Sequence, residues 1–167
     1  MLAEAANLLA VSRSNEMHWM LIGERHSTKP ESIEFERHVL ERFRTAGLGD
    51  RLHRLGYRDD VAWIMNEVDL LVHPARQEPL GRVLLEAAAA GLPIVATTVG
   101  GTEEILRDGE SARLVPPDDP HSLAAAIIEL HDDPHKRSRF AAAARARIET
   151  AFTIQQAADR LAAAWKG

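Results

Sequence analysis

The 167-residue chain contains no cysteine, which excludes a disulfide framework and any thiolate zinc site. It has no apolar run near the roughly 18 residues that a membrane-spanning helix needs. It has no excess of basic residues either: 20 Lys and Arg stand against 25 Asp and Glu, for a formal net charge of -5. That balance argues against a dedicated nucleic-acid binder. Residues 1–9 include Glu4 and no basic cluster, so they do not read as a signal peptide. Gly-x-Gly-x-x-Gly, Walker and Gly-x-Ser-x-Gly motifs are all missing, which removes the simplest dehydrogenase, P-loop and serine-hydrolase readings. What is present is ordinary for a globular protein, with 46% hydrophobic and 27% charged residues, enough to build one domain with a real core. The expectation is a soluble, cytoplasmic domain.

Short β-rich runs alternate with helical patterns along the chain. Trp19–Ile22, closed by Gly23, reads as a buried strand, and Ile33, Phe35, Val39, Leu40 and Phe43 mark a helix that ends near Gly47. Residues 52–56 form a weak strand, Val61 to Val68 a short helix, and residues 69–73 a strand stopped by Pro74. Residues 81–90 form a strong helix closed by Gly91, followed by a strand over 93–98 with β-branched residues at four positions. A short helix from Thr102, a turn at 107–110 and a strand over 112–115 come next. Three helices close the chain, over about 120–131, 134–150 and 154–165, and are expected to pack across one end of the domain. The alternation predicts an α/β fold: a doubly wound, Rossmann-like parallel sheet of four or five short strands with helices on both faces. The chain opens inside a helix (Ala3, Ala6, Leu8, Leu9), whereas a doubly wound domain ordinarily opens on a strand whose loop binds phosphate.

The residues that carry chemistry lie between His73 and Thr98. Glu78 falls in the loop after a strand, Gly81 at the start of the next helix, and Glu86 inside that helix, eight residues beyond Glu78. Free amides at a helix start suit an anion, and Gly81 lets backbone approach a ligand closely. A carboxylate one turn further on is placed to accept hydrogen bonds from neighbouring hydroxyls, as the acidic residue of a dinucleotide fold does from ribose. Taken on spacing alone, a solvated Glu86 and an ordinary N-terminal glycine explain the pattern equally well.

The combination of residues is more specific than the spacing. Glu78 and Glu86, Gly100-Gly101-Thr102-Glu103-Glu104, Asp108-Gly109 leading to Leu114-Val115-Pro116-Pro117, and Ala151-Phe152-Thr153 together resemble the C-terminal domain of family 4 retaining glycosyltransferases of the GT-B fold. Residues 55–61 resemble the segment beneath the nucleotide base in that family, and nearly the whole chain is covered.

The resemblance implies hexosyl transfer from a nucleotide-diphosphate sugar (a UDP-, GDP- or ADP-sugar) with retention at the anomeric carbon. It implies no bound cofactor or metal. Glu86 matches the glutamate that binds the ribose hydroxyls, and Glu78 the catalytic glutamate facing the donor sugar. The amides of Leu80, Gly81, Arg82 and Val83 match those meeting the sugar and diphosphate, and Gly56 and Tyr57 fall where backbone meets the base. His73, at a strand end before a proline, suits either a donor contact or a satisfied structural role.

The departures matter as well. The family's basic phosphate loop and its preceding strand would lie before residue 1, as would the N-terminal acceptor-binding lobe, the expected partner and the expected route of any membrane association. Absence of that strand would leave a seam between the strands around Met20 and Val72. Leu80 stands where the family carries an aromatic residue, and Ala112-Arg113 where it carries a glycine and a hydrophobic residue. The resemblance thus implies a nucleotide-sugar-binding lobe over residues 1–167 that binds nucleotide weakly and transfers nothing by itself.

Two alternatives belong to other classes. One is a non-catalytic nucleotide-binding or assembly module paired with another chain, and the other is a nucleotide-sugar epimerase of related fold, which the paired-glutamate spacing disfavours. His131 and His135 are four apart, but Pro134 interrupts the helix that would align them, and Asp132-Asp133 reads more simply as a cap. The Ser12-Arg13-Ser14 and 25–29 segments carry positive charge suited to a phosphate, or simply a solvated surface. Arg137, Arg139, Arg145 and Arg147 have the interleaving of a solvated helix face.

Overall fold

A computed structural model describes residues 1–12 and 17–166. The described elements run α1 (Leu2–Ser12), β1 (Trp19–Ile22), α2 (Pro30–Thr45), a single 3-10 turn (Gly49–Arg51), β2 (Leu52–Gly56), α3 (Val61–Glu67), β3 (Leu71–His73) and α4 (Arg82–Ala90). They continue with β4 (Ile94–Thr97), α5 (Thr102–Ile105), β5 (Arg113–Val115), α6 (Pro120–Asp132), α7 (Pro134–Ala151) and α8 (Ile154–Lys166). The expected alternation is therefore present, and the chain does open in a helix.

All strand pairings are parallel, but they fall into two sheets rather than one. β1 pairs with β2, and β3, β4 and β5 form a second sheet in that order. β1 and β3 are not hydrogen-bonded neighbours, so the pairing is interrupted where the sequence placed a seam. The strands of this region are apolar yet only half-buried: Met20 and Ile22 are exposed and all of β3 is intermediate, while every residue of β4 is buried.

Strand alternation divides the interior into two cores. Val72, Val95 and Val115 point to one face, where α1, α2 and α6 supply Leu9, Phe43, Leu123, Ile127 and Leu130. Leu71, Ile94, Ala96 and Leu114 point to the other, where α4 supplies Leu84, Ala87 and Ala88, and α7 adds Ala144. Trp19 meets Phe43 edge-on in the first core, with ring centroids 6.0 Å apart.

The boundaries follow from local chemistry. Asp119 caps α6 by accepting from Ser122 N–H, and Asp133 caps α7 by accepting from Lys136 N–H, each followed by proline in the first helical turn. The cap reading of Asp132-Asp133 thus holds at Asp133, and no cluster of three or more metal-ligating side chains occurs among the described residues. The closing helices do not form a layer across one end. α6 packs on α1, β4 and β5, and α7 packs on α4 from the opposite face. α8 leaves Ile154, Leu161 and Trp165 exposed. Its apolar stripe has a helical period, but nothing in the described chain covers it.

Burial sets the expected cost of truncation. Leu84 is 0% exposed and Trp165 85% exposed. Leu84→Ala is expected to lower unfolding free energy by about 2–5 kcal/mol, whereas Trp165→Ala stays within about 0.5 kcal/mol. Denaturant midpoints of the two variants check this ranking.

Candidate functional site

The candidate site is built by the loop between β3 and α4. Pro74 ends β3, because it has no N–H to continue the ladder. The chain crosses residues 75–80 and enters α4 through Gly81, whose φ of +73° lies in the left-handed region. Glycine is favoured there by conformation, and a Cβ at that position would sit 2.8 Å from Leu84 Cδ1, so that side chain would have to shift.

With the backbone turned this way, Gly81 N–H donates to Glu78 Oε1 at 2.8 Å. The other carboxylate oxygen, Oε2, lies 3.2 Å from His73 Nε2. Glu78 is thereby held in a bracket made by the end of β3 and the mouth of α4. The hydrogen bond from Gly81 N–H is the main reason its carboxyl sits below the ordinary glutamate range, helped by Leu80 N–H and the nearby His73, while burial opposes the shift. Glu78 is therefore a carboxylate at neutral pH. Because its folded value is depressed, the stability it contributes is present above the unfolded value and is lost as pH falls through the folded one.

The other expected residues divide into two groups. Leu80, Gly81, Arg82, Val83 and Glu86 follow Glu78 in one continuous stretch of loop and helix. Gly81 N–H is already engaged by Glu78, and the first carbonyl used inside α4 is that of Gly81, accepting from Leu84 and Leu85 N–H. The amides of Arg82 and Val83 therefore lie ahead of the helical ladder at the positive end of α4. Arg82 extends into solvent and approaches Glu86 at 3.9 Å across one turn, with the Glu86 side chain half exposed. Leu80 is 49% exposed.

Gly56 and Tyr57 lie instead at the carboxyl end of β2, in the other sheet. Gly56 accepts from Gly23 N–H, which ties that turn to β1, and Tyr57 is exposed. Of the basic segments weighed from sequence, Arg25 pairs with Glu36, while the side chains of Ser12, Arg13 and Ser14 lie outside the described residues. A surface depression between Arg25, Ser27, Phe35 and Glu36 contains none of the expected site residues, and its lining is an ion pair and a solvated helix face.

Sequence reasoning missed what holds the Glu78 loop from beneath. Thr97, at the end of β4, is fully buried, and its hydroxyl donates to Ala75 O at 2.6 Å. Gly101 N–H donates to Glu78 O at 3.2 Å. The paired glycines after a strand were the available signal. Arg76 pairs with Asp118 and joins the loop to the turn after β5.

Comparison with known proteins agrees with this architecture. The sequence profile of the family described as glycosyl transferases group 1 matches residues 1–133, and the chain belongs to that family. It is 33% identical over 150 residues to the lipopolysaccharide core biosynthesis mannosyltransferase LpsB of Rhizobium meliloti, a match covering 89% of this chain and 42% of that protein. Among solved structures, Anabaena HepE in complex with UDP superposes with a TM-score of 0.85 at 27% identity, covering 97% of this chain and 44% of that one. The C-terminal domain of a glycosyl transferase group 1 family protein from Francisella tularensis shares the fold, with a TM-score of 0.80 at 24% identity over 92% of this chain and 78% of that one. The chain thus spans less than half the length of LpsB and of HepE. The doubly wound, GT-B-type α/β lobe expected from the sequence is the architecture found, with its sheet in two parts.

Gly81→Ala tests the bracket directly. Forcing a side chain into the left-handed conformation is expected to cost about 1–2 kcal/mol, and displacement of the Gly81 N–H is expected to raise the Glu78 titration midpoint toward the ordinary glutamate range. Thermal unfolding and a carbon-13 NMR titration of the Glu78 carboxyl measure the two effects.

Proposed function

We propose that this chain is the donor-binding lobe of a retaining glycosyltransferase that uses a nucleotide-diphosphate sugar. The observation that carries the reading is the pairing of an ionised, backbone-bracketed Glu78 with a half-exposed Glu86 further along the same helix start. Glu86 accepts hydrogen bonds from the ribose hydroxyls. The diphosphate lies against the Arg82 and Val83 amides, where the helix dipole and the Arg82 guanidinium meet its charge. Leu80 lines the sugar side, the turn at Gly56 and Tyr57 meets the base, and His73 orients the Glu78 carboxylate. No metal is required in this scheme.

In the transfer itself, the bond between the anomeric carbon and the diphosphate oxygen breaks, and the electron pair leaves with the diphosphate. The acceptor hydroxyl oxygen forms the new bond on the same face and passes its proton to the departing diphosphate oxygen, which takes it up with the electron pair it carries away. Glu78 stabilises the positive charge that develops on the sugar as the leaving group departs, which is electrostatic stabilisation from a group already fixed in place. The complexes of HepE with UDP and with UDP-glucose, at 27% and 28% identity, support a nucleotide donor. The mannosyltransferase relative supports hexosyl transfer. The reading assigns this chain the donor side in the cytoplasm and leaves the acceptor side to the part of its relatives that it does not span, so the chain alone is expected to bind nucleotide and not to transfer sugar.

Calorimetric titration with UDP, GDP and ADP, beside the Glu86→Ala variant, tests the reading. One nucleotide is expected to bind, and the variant to lose about 1–3 kcal/mol of that binding. Binding that is indifferent to Glu86 would overturn its ribose role, and no binding by any of the three would favour a lobe retained for assembly.

A further inference from the structure

The loop that presents Glu78 is shaped by residues of β4 and the turn that follows it. In the β3–β4 ladder His73 is opposite Ala96, so the next pair would be Pro74 and Thr97. Pro74 has no N–H with which to continue, and the chain turns away. Thr97 is 0% exposed there, and its hydroxyl reaches across to the carbonyl of Ala75 at 2.6 Å, with the His73 carbonyl at 3.4 Å. A side chain thus extends the pairing one step beyond the last backbone bond and fixes where the loop begins.

The same turn fixes the loop three residues later. Gly101 N–H donates to the Glu78 carbonyl. Gly100 has a φ of +51°, and a Cβ built on it would lie 1.8 Å from the Glu78 carbonyl oxygen and 2.8 Å from the carbonyl carbon. No side chain fits at that distance, and both contacts are backbone, which has no rotamer by which to withdraw. The Glu78 peptide unit therefore rests on the bare Cα of Gly100.

We propose that Thr97 and Gly100 are positioning residues for Glu78, acting on the backbone at Ala75 and Glu78 so that the carboxylate meets the N–H of Gly81. Neither touches the carboxyl group itself. The functional consequence rests on the donor-binding reading above, but the geometric claim does not.

The test uses the 167-residue chain with carbon-13-labelled glutamate, in unmutated form and as Thr97→Val, Thr97→Ser and Gly100→Ala. Thr97→Val keeps the shape of the side chain and removes its donor. Thr97→Ser keeps the donor, and Gly100→Ala pushes on the Glu78 carbonyl. Thr97→Val and Gly100→Ala are expected to raise the Glu78 titration midpoint by about 0.5 pH unit or more, while Thr97→Ser leaves it in place. Affinity for whichever of UDP, GDP and ADP the unmutated chain binds is expected to fall about tenfold in the first two variants and to be kept in Thr97→Ser. A folded Thr97→Val chain with an unchanged Glu78 titration overturns the role of Thr97, as does Thr97→Ser shifting as far as Thr97→Val. An unchanged Glu78 titration in Gly100→Ala overturns the role of Gly100, and that variant decides the loop-moulding claim if Thr97→Val fails to fold. If the unmutated chain binds none of UDP, GDP and ADP, the donor reading loses support while the Glu78 titrations still decide the positioning.

Discussion

The hydrogen bond from Gly81 N–H to Glu78 Oε1 ties three levels of the structure together. It exists only because Gly81 adopts a left-handed conformation, and that conformation also sets the direction in which α4 leaves the loop. Rotating α4 would carry Arg82, Val83 and Glu86 with it, so the relation between the two glutamates depends on the turn at residues 79–81. Leu84 packs beneath this turn as part of the second core, fully buried, and keeps α4 seated on β4. The candidate site is thus a rim built beside β4, the strand whose every residue is buried, rather than a free loop.

The division of the interior into two cores explains why this arrangement is stable despite an interrupted sheet. The three-stranded sheet has α4 and α7 on one side and α6 on the other, so β4 is covered on both faces. β1 and β2 pair with each other as a smaller second sheet and reach the first core through Trp19 and Leu52, with Trp19 against Phe43 of α2. The Glu78 loop springs from the well-covered sheet, whereas Gly56 and Tyr57 belong to the less covered one. The two are held in place relative to each other by the packing beneath both sheets and not by a continuous ladder.

Much of this was legible in the sequence because it depends on period and punctuation. The start of α4 could be placed at Gly81, its end at Gly91, and the cap of α7 at Asp133, since each is dictated by a residue with few conformational alternatives. The two glutamates were visible as a spacing, and their neighbours as a resemblance. The split sheet could be anticipated only from the helix at the start of the chain. The environment of Thr97 was not legible, because a threonine at the end of an apolar strand has the same appearance whether its hydroxyl is satisfied by water or by a carbonyl across the ladder. The bracket around Glu78 was equally hidden: spacing put Gly81 three residues after Glu78 but said nothing about which way its N–H would point. α8 was read correctly as a helix, yet its amphipathic pattern misled about packing, since a stripe records what a helix can cover and not what lies beside it.

The three tryptophans divide unevenly between these surroundings. Trp19 is 9% exposed, while Trp63 and Trp165 are 62% and 85% exposed. Trp19 belongs to the core formed with α1, α2 and α6, and the core beneath α4 contains no tryptophan. Intrinsic fluorescence of this protein therefore reads its two sides unequally: the buried Trp19, in contact with Phe43, reports the core under α1, α2 and α6, whereas the half that carries Glu78 is reported only by Trp63, on the surface of the helix α3 that packs on α4.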